Sequence, residues 1–86
     1  MAVYNTQVTV STTSQVIVNL QDVTQWVTLH SQGASYVGGS SAVTSSNGLH
    51  IENGDTVNLV IPQGCELWAV ASSGSHTLAV LTARVD

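Results

Sequence analysis

The sequence predicts an all-β protein: a single small antiparallel β-sandwich, jelly roll or β-barrel of about eight short strands. Three observations predict this class. Apolar and polar residues alternate with a period of two, β-branched residues dominate the alternating segments, and turn-forming residues recur at short intervals. Ser, Thr and Val fill 35 of the 86 positions, a composition that suits a pleated sheet better than a helix.

The N-terminal half contains three alternating segments, at residues 7–10, 15–20 and 23–30. Alternation in the second segment places Val16, Val18 and Leu20 on one face and Ile17 and Asn19 on the other. In the third segment, Trp26 shares a face with Thr28 and His30, because side chains two residues apart in a strand point the same way.

Turn residues divide the rest of the chain. Asn47-Gly48 predicts a type I′ hairpin turn, because both residues accept the positive φ that such a turn needs. Asn53-Gly54-Asp55 predicts a second turn. Pro62 ends the predicted strand at residues 56–61, since proline donates no hydrogen bond to a sheet. The remaining predicted strands lie at residues 34–37, 42–44, 49–51, 56–61, 65–71 and 76–85.

The last two predicted strands are apolar on both faces. Leu67 and Ala69 alternate with Trp68 and Val70, although an antiparallel sheet with one solvated face normally alternates apolar and polar residues. Strands of this kind need cover on both sides, which indicates association with another copy. The alternative is a tightly closed barrel whose outer face tolerates scattered apolar side chains.

Charge excludes several classes of partner. Charged residues make up 7% of the chain, Arg84 is the single base, and the formal net charge is −4. One base cannot neutralise several phosphates, so the sequence predicts no nucleic-acid binding, and it lacks the basic face of a membrane-surface helix. It contains no apolar run of the length that a membrane span requires.

Cys65 is the single cysteine, so no disulfide can form within the chain. Oligomerisation is then the usual way to stabilise so small a domain. Residues 1–5 lack the charged and apolar regions of a secretory signal, which predicts synthesis and folding in a cytoplasm. Residues 1–7 are predicted as an N-terminal arm that adds a strand to a partner sheet.

No constellation in the sequence predicts catalysis, a metal site or a cofactor. His30, His50, His76 and Cys65 are spaced too widely for a compact zinc motif. Ser75 precedes His76, but neighbours along a strand point to opposite faces. Glu52 and Asp55 flank a turn, where carboxylates are usually solvated and too few to hold calcium. We therefore expect a protein that is not an enzyme.

Aromatic residues are the best candidates for binding. An exposed tryptophan on a sheet can stack on a sugar ring, but tryptophan is also common in cores and at protein interfaces. Core or interface is the favoured interpretation here because few charges lie near either tryptophan. The candidate interface or binding residues are Trp26, Tyr36, Trp68, Val70, Leu78 and Val80.

Three segments have a familiar pattern. Residues 36–49 contain Val-x-Gly-Gly followed by Val-Thr and Asn-Gly, residues 54–61 read Gly-Asp-Thr-Val-Asn-Leu-Val-Ile, and residues 66–71 read Glu-Leu-Trp-Ala-Val-Ala. Over residues 23–82 this pattern resembles small all-β structural proteins of tailed-bacteriophage virions. Capsid decoration proteins, head fibres and tail-associated modules share it, and the resemblance carries over no catalytic or ligand residue.

The resemblance implies a structural virion protein. Since the whole of residues 1–86 is taken up by one such domain, we expect a capsid decoration (cement) protein more than a fibre. It would oligomerise, as a trimer, on the outer capsid surface and bind the major capsid protein, after assembly in the host cytoplasm. The alternative function is a tail- or fibre-associated module that recognises a host glycan.

Overall fold

The computed structural model describes residues 2–85 and confirms the all-β prediction. The described chain forms eight strands and contains no helix. The strands are β1 (Ala2–Val10), β2 (Gln15–Val18), β3 (Gln25–Ser31), β4 (Ser35–Gly38), β5 (Leu49–Ile51), β6 (Thr56–Ile61), β7 (Leu67–Ala71) and β8 (His76–Arg84).

The strands form two antiparallel four-stranded sheets. Sheet I has the order β1-β8-β3-β6, and sheet II has the order β2-β7-β4-β5. Successive strands mostly cross from one sheet to the other, which gives the interleaved order of a jelly roll. Of the three architectures that the sequence allowed, the structure is therefore the jelly-roll sandwich.

The core lies between the sheets and is built from alternate residues of each strand. In β3, buried residues alternate with more exposed ones, so Val27 and Leu29 face the core while Trp26 faces outward. Burial of apolar side chains at this interface supplies most of the favourable free energy of folding. The core cluster contains Val10, Ile17, Val18, Val27, Leu29, Val37, Ile51, Ile61, Leu67, Ala69, Ala71, Leu78 and Val80.

Two candidate interface residues belong to this core. Leu78 is 0% exposed and Val80 is 3% exposed, so neither side chain reaches the surface of the monomer. The structure corrects their assignment because β8 is a central strand of sheet I, with one face turned to sheet II. The outward residues of the same strand include Ala79 and Leu81, and Leu81 is exposed.

Strand β2 departs from the predicted alternation. Its register against β7 shifts between Val16 and Val18, and this irregularity buries both Ile17 and Val18. A bulge of this kind lets two successive side chains turn to the same side of a sheet. Leu20, predicted to share a face with Val18, lies beyond the strand and is exposed.

The predicted type I′ turn at Asn47-Gly48 does not form. Positive φ occurs only at Gly54, Gly64 and Gly74 among the described residues, so Gly48 has an ordinary backbone conformation. Its N–H donates to the carbonyl oxygen of Thr44 at 2.9 Å, and turns at residues 41–42 and 45–47 take the place of the predicted strand at 42–44. The predicted turn at residues 53–55 is present, with Gly54 at φ 87°.

Residues 2–7, predicted within an N-terminal arm, lie in β1 and pair with β8 of their own chain. Met1 of that arm lies outside the described residues. The register runs without interruption from Ala2 opposite Arg84 to Val10 opposite His76. In the order of sheet I, β1 has β8 as its one neighbour among the described strands, so β1 is an edge strand.

Candidate functional site: the outer face of sheet I

The outer face of sheet II is largely covered by its own chain. Val70 points outward from β7 yet is buried, and the ring of Tyr36 stacks on His50 with centroids 4.7 Å apart. Val43, from the connection between β4 and β5, lies against Gly48, where a Cβ would be 2.8 Å from its Cγ2 atom. This face therefore offers little apolar surface to another molecule.

Trp68 lies on the same face of sheet II and is half-buried. Its indole Nε1–H donates a hydrogen bond of 2.8 Å to the Glu66 carboxylate, two residues earlier in the chain. This bond satisfies the polar end of the ring and fixes its orientation. Trp68 thus has the environment of a packed residue.

The outer face of sheet I, in contrast, is bare. Cross-strand pairing places Val3 opposite Ala83, Ala83 opposite Trp26, and Trp26 opposite Val60. These four residues form one row across all four strands, which we call the apolar row. The exposed fractions are 62% for Val3, 46% for Trp26 and 59% for Val60.

Moving two residues along each strand, to the next outward-facing position, makes the face more polar. Leu81, 45% exposed, lies beside Thr28 in the second row. The Thr28 hydroxyl donates to the Asn58 side-chain oxygen at 2.8 Å, and in the third row His30 Nδ1 lies 3.2 Å from the Thr56 hydroxyl. The apolar row is therefore bordered on one side by uncharged hydrogen-bonding groups.

This face carries no formal charge in the part of the chain described. Among the strands of sheet I, Arg84 is the only Asp, Glu, Lys or Arg. Its guanidinium lies over the Tyr4 ring, 4.2 Å from the centroid, and its pairing with Ala2 places it on the opposite face. A partner can therefore cover the outer face without desolvating an ion, which is the costly step in many interfaces.

A polar network lies at one end of the core. His76 Nε2 is 2.5 Å from the Ser35 hydroxyl, and that hydroxyl is 3.0 Å from the Ser31 hydroxyl. Ser31 in turn donates to the Gly33 carbonyl oxygen at 2.5 Å. Both serines are 0% exposed, so a substrate has no access to either hydroxyl and the network is structural. Sequence reasoning considered Ser75 beside His76 and missed Ser35, which reaches His76 only through folding.

Residues 2–85 contain no group of three or more His, Cys, Asp or Glu side chains placed to hold a metal ion. They also contain no helix of the length and apolar character that crossing a lipid bilayer requires. Cys65 is exposed and forms no disulfide. His50 Nε2 lies 3.5 Å from the Glu52 carboxylate at the surface, where such pairs contribute little to stability.

Of the six candidate residues, Trp26 alone is exposed on an uncovered sheet face. Tyr36, Trp68 and Val70 lie on the covered face of sheet II. Sequence reasoning missed Val3 and Val60 because each is the single apolar residue on the outward side of its own strand. The register of sheet I makes them neighbours of Trp26.

The chain matches no protein-family model and no curated protein sequence. Its fold is similar to a solved structure from work on Bacillus endospore appendages, described there as a novel family of disulfide-linked pili. The TM-score is 0.66 with 10% sequence identity, and the match covers 99% of this chain and 87% of the other. At that identity the likeness concerns the fold.

Proposed function

We propose that this protein is a structural subunit that associates with copies of itself through the outer face of sheet I. The observation that carries the proposal is the apolar row, defined above by Val3, Ala83, Trp26 and Val60. It crosses all four strands of the sheet without a charged residue. A row of this kind, bordered on one side by polar groups, has the apolar character of the centre of a protein interface.

Trp26 is the expected anchor of that interface. It is 46% exposed in the monomer, so covering it removes roughly 100 Å² of apolar surface, worth about 2.5 kcal/mol. Val3 and Val60 lie in the same row and are more exposed still. Burying them would exclude water from around Trp26, as the contacts that surround an interface hot spot do.

Within this structural class, we propose the role of a capsid decoration protein. The resemblance of residues 23–82 to small virion proteins supports it. Copies would bind the major capsid protein on the outer surface of the virion, as trimers, and stabilise the shell by burying surface across neighbouring subunits. Because copies would bind the assembled shell and not the disrupted one, each bound copy favours the assembled state. Stabilisation of the shell therefore rises with the number of copies bound.

The fold likeness to an appendage protein supports a second kind of assembly, a fibre built from copies of this chain. A fibre of this sequence would depend on non-covalent contacts. The 86 residues contain one cysteine, Cys65, and a single thiol joins copies only in pairs. A chain of disulfide-linked copies requires at least two cysteines in each.

One observation favours a binding role for the same face. A shallow depression of about 290 Å³ lies between Trp26 and Val60 and is bordered by Thr28 and Asn58. Asn58 uses its side-chain oxygen to accept from Thr28, which leaves the amide NH₂ for a ligand. A neutral sugar could stack on the indole and accept from this amide, which is the glycan-binding alternative.

Replacing Trp26 and Val60 separately by threonine tests the self-association. Threonine keeps the β propensity of the strand and removes the apolar surface. We expect each variant to raise the dissociation constant of the oligomer in sedimentation equilibrium, by roughly 30- to 100-fold for Trp26→Thr. His30→Thr is the matched control, since it lies on the same strand and face but outside the apolar row. Unchanged association in both variants would refute the proposal.

Mixing the protein with assembled phage capsids separates the proposed settings. Co-sedimentation with shells, and a higher temperature of shell disruption, would support decoration. Fibres in negative-stain images without added capsids would support an appendage. Saturable binding to a glycan array that is lost in Trp26→Thr would support the carbohydrate role and count against the structural one.

A further inference from the structure

Strand β1 is an unusual edge strand. The two sheets have four edges among the described residues: β1 and β6 in sheet I, and β2 and β5 in sheet II. An edge strand presents a row of unpaired N–H and C=O groups that can pair with another chain. Natural proteins protect such edges with short strands, bulges, prolines or charged side chains.

Three of these edges have such protection. β2 is four residues long and its register is irregular, and β5 is three residues long. β6 has six residues and is followed at once by Pro62. β1, in contrast, has nine residues paired without interruption to β8, and it contains no proline, glycine or charged residue.

The side chains in the N-terminal part of β1 are also open to solvent. All residues from Val3 to Gln7 are exposed, including Tyr4 and Thr6, which are on the inward-facing side of the strand. Sheet II leaves this part of sheet I uncovered, since even the inward-facing Tyr4 and Thr6 are exposed. Over residues 3–7, both faces and the outer edge of β1 can therefore be contacted by a second strand. At the far end of β1 the side-chain amide of Gln15 donates to the Thr9 carbonyl oxygen, so the accessible edge is the N-terminal part of the strand.

We propose that β1 pairs in antiparallel fashion with β1 of a second copy, about a twofold axis that passes through Thr6. This inference rests on the proposed function in one respect: both require that copies of the chain associate. The pairing joins two copies of sheet I into one eight-stranded sheet and keeps both outer faces on the same side. It uses the backbone edge of β1, whereas the apolar row uses the outer face of sheet I, so each subunit would have two ways to bind another. Val3 lies where the two contacts adjoin.

The register about Thr6 makes the central cross-strand pairs compatible. On the outer side it places Asn5 opposite Gln7 of the second copy, and amides of this kind can exchange hydrogen bonds. On the inner side it places Tyr4 opposite Val8, an aromatic and β-branched pair, and Thr6 opposite itself. Pairs of these types stabilise antiparallel sheets. Because β1 carries no charge, self-pairing brings no like charges together.

Pairing of β1 with β6 of the next copy is less favourable. Neighbouring strands of sheet I are all antiparallel, so such a head-to-tail contact is geometrically allowed. However, β6 has six residues and ends at Pro62, so it leaves part of the nine-residue β1 unpaired. Self-pairing matches two strands of equal length and forms a closed dimer, whereas the head-to-tail contact propagates.

Cysteine cross-linking tests the axis. In a Cys65→Ser background, Thr6→Cys places the two thiols opposite each other, with Cβ atoms about 5 Å apart. Thr9→Cys is the matched control on the same edge, because the proposed register separates its two copies by roughly 20 Å, far beyond disulfide reach. Mild oxidation should convert most of the Thr6→Cys protein to a cross-linked dimer and leave Thr9→Cys monomeric on a non-reducing gel.

A charge at the axis gives a second, independent readout. Thr6→Lys sets two ammonium groups opposite each other and should weaken the β1 contact at least tenfold in sedimentation equilibrium. Thr56→Lys, on the other edge of sheet I, should not. Circular dichroism of both variants should match that of the parent protein, which checks that they remain folded.

Absence of the Thr6 cross-link, or equal cross-linking at Thr6 and Thr9, would overturn the inference. Loss of association in Thr56→Lys but not in Thr6→Lys would overturn it in favour of the head-to-tail contact. If Trp26→Thr abolishes association while Thr6→Lys leaves it unchanged, the inference fails and the proposed function stands. The reverse result would support the β1 contact and refute association through the apolar row.

Discussion

Replacing Gly48 by alanine should destabilise the protein because the site has no room for a Cβ atom. That atom would lie 2.8 Å from the Cβ of Tyr36, 2.8 Å from Cγ2 of Val43 and 3.1 Å from the carbonyl oxygen of Thr44. The Tyr36 Cβ is attached directly to strand β4, so it cannot move aside without moving the backbone. Overpacking of this kind costs about 1–3 kcal/mol.

Thermal unfolding measures this cost. For a domain of this size, 1 kcal/mol corresponds to a change in Tm of about 4–8 °C, so we expect Gly48→Ala to lower Tm by roughly 5–20 °C. Gly39→Ala is the matched control in the same connection, since a Cβ there meets no atom within 4 Å and φ is not positive. It should leave Tm unchanged or raise it slightly, because alanine restricts the unfolded chain.

The comparison also tests why this glycine is present. A type I′ turn would require Gly48 for its positive φ, whereas the structure requires it for close packing beneath Val43. If Gly48→Ala unfolds within about 2 °C of the parent protein, the packing argument is refuted. The same conclusion follows if Gly39→Ala is destabilised to the same extent.

Three further predictions concern the core, the polar network and the cysteine. Leu29→Ala, at a 0% exposed position, should lower the free energy of unfolding by about 2–5 kcal/mol in urea titrations, whereas Leu49→Ala, 51% exposed, should change it by less than about 1 kcal/mol. Ser35→Ala removes the hydroxyl 2.5 Å from His76 Nε2 and should cost about 1–3 kcal/mol by the same measurement; a neutral result would show that the network adds nothing to stability. Cys65→Ser should leave sedimentation behaviour under reducing conditions unchanged, and oxidation of the parent protein should yield covalent species no larger than a dimer on a non-reducing gel.

Much of the fold could be predicted because local signals and tertiary packing agree. Alternation in residues 56–61 predicted β6 with its observed bounds, since the edge strand keeps one side toward the core and one toward solvent. The turn containing Gly54 was predicted, and Gly54 is one of the glycines with positive φ, a conformation that other residues rarely adopt. The details of β2 could not be predicted, because its bulge depends on how it meets β7.

The candidate interface was only partly predictable. Trp26 was a candidate because a tryptophan beside Thr28 and His30 is conspicuous in one strand. Val3 and Val60 lie 23 and 34 positions from Trp26, and nothing in their own segments marks them as its neighbours. Leu78 and Val80 were assigned to an interface because β8 is apolar on both faces, and the sequence does not say which face turns inward.

The sequence by itself determined that this protein is a small all-β domain with almost no charge, because period-two alternation, β-branched composition and turn residues are local properties. Tertiary structure decided which outward-facing side chains meet. Strand order and register bring together residues from separate strands, and a shift of one residue would turn Trp26 inward and leave no apolar row. Strand order also places β1 at the edge of sheet I. The length and lack of charge of β1 favour pairing with another chain only because no other strand of the described chain pairs with its outer edge.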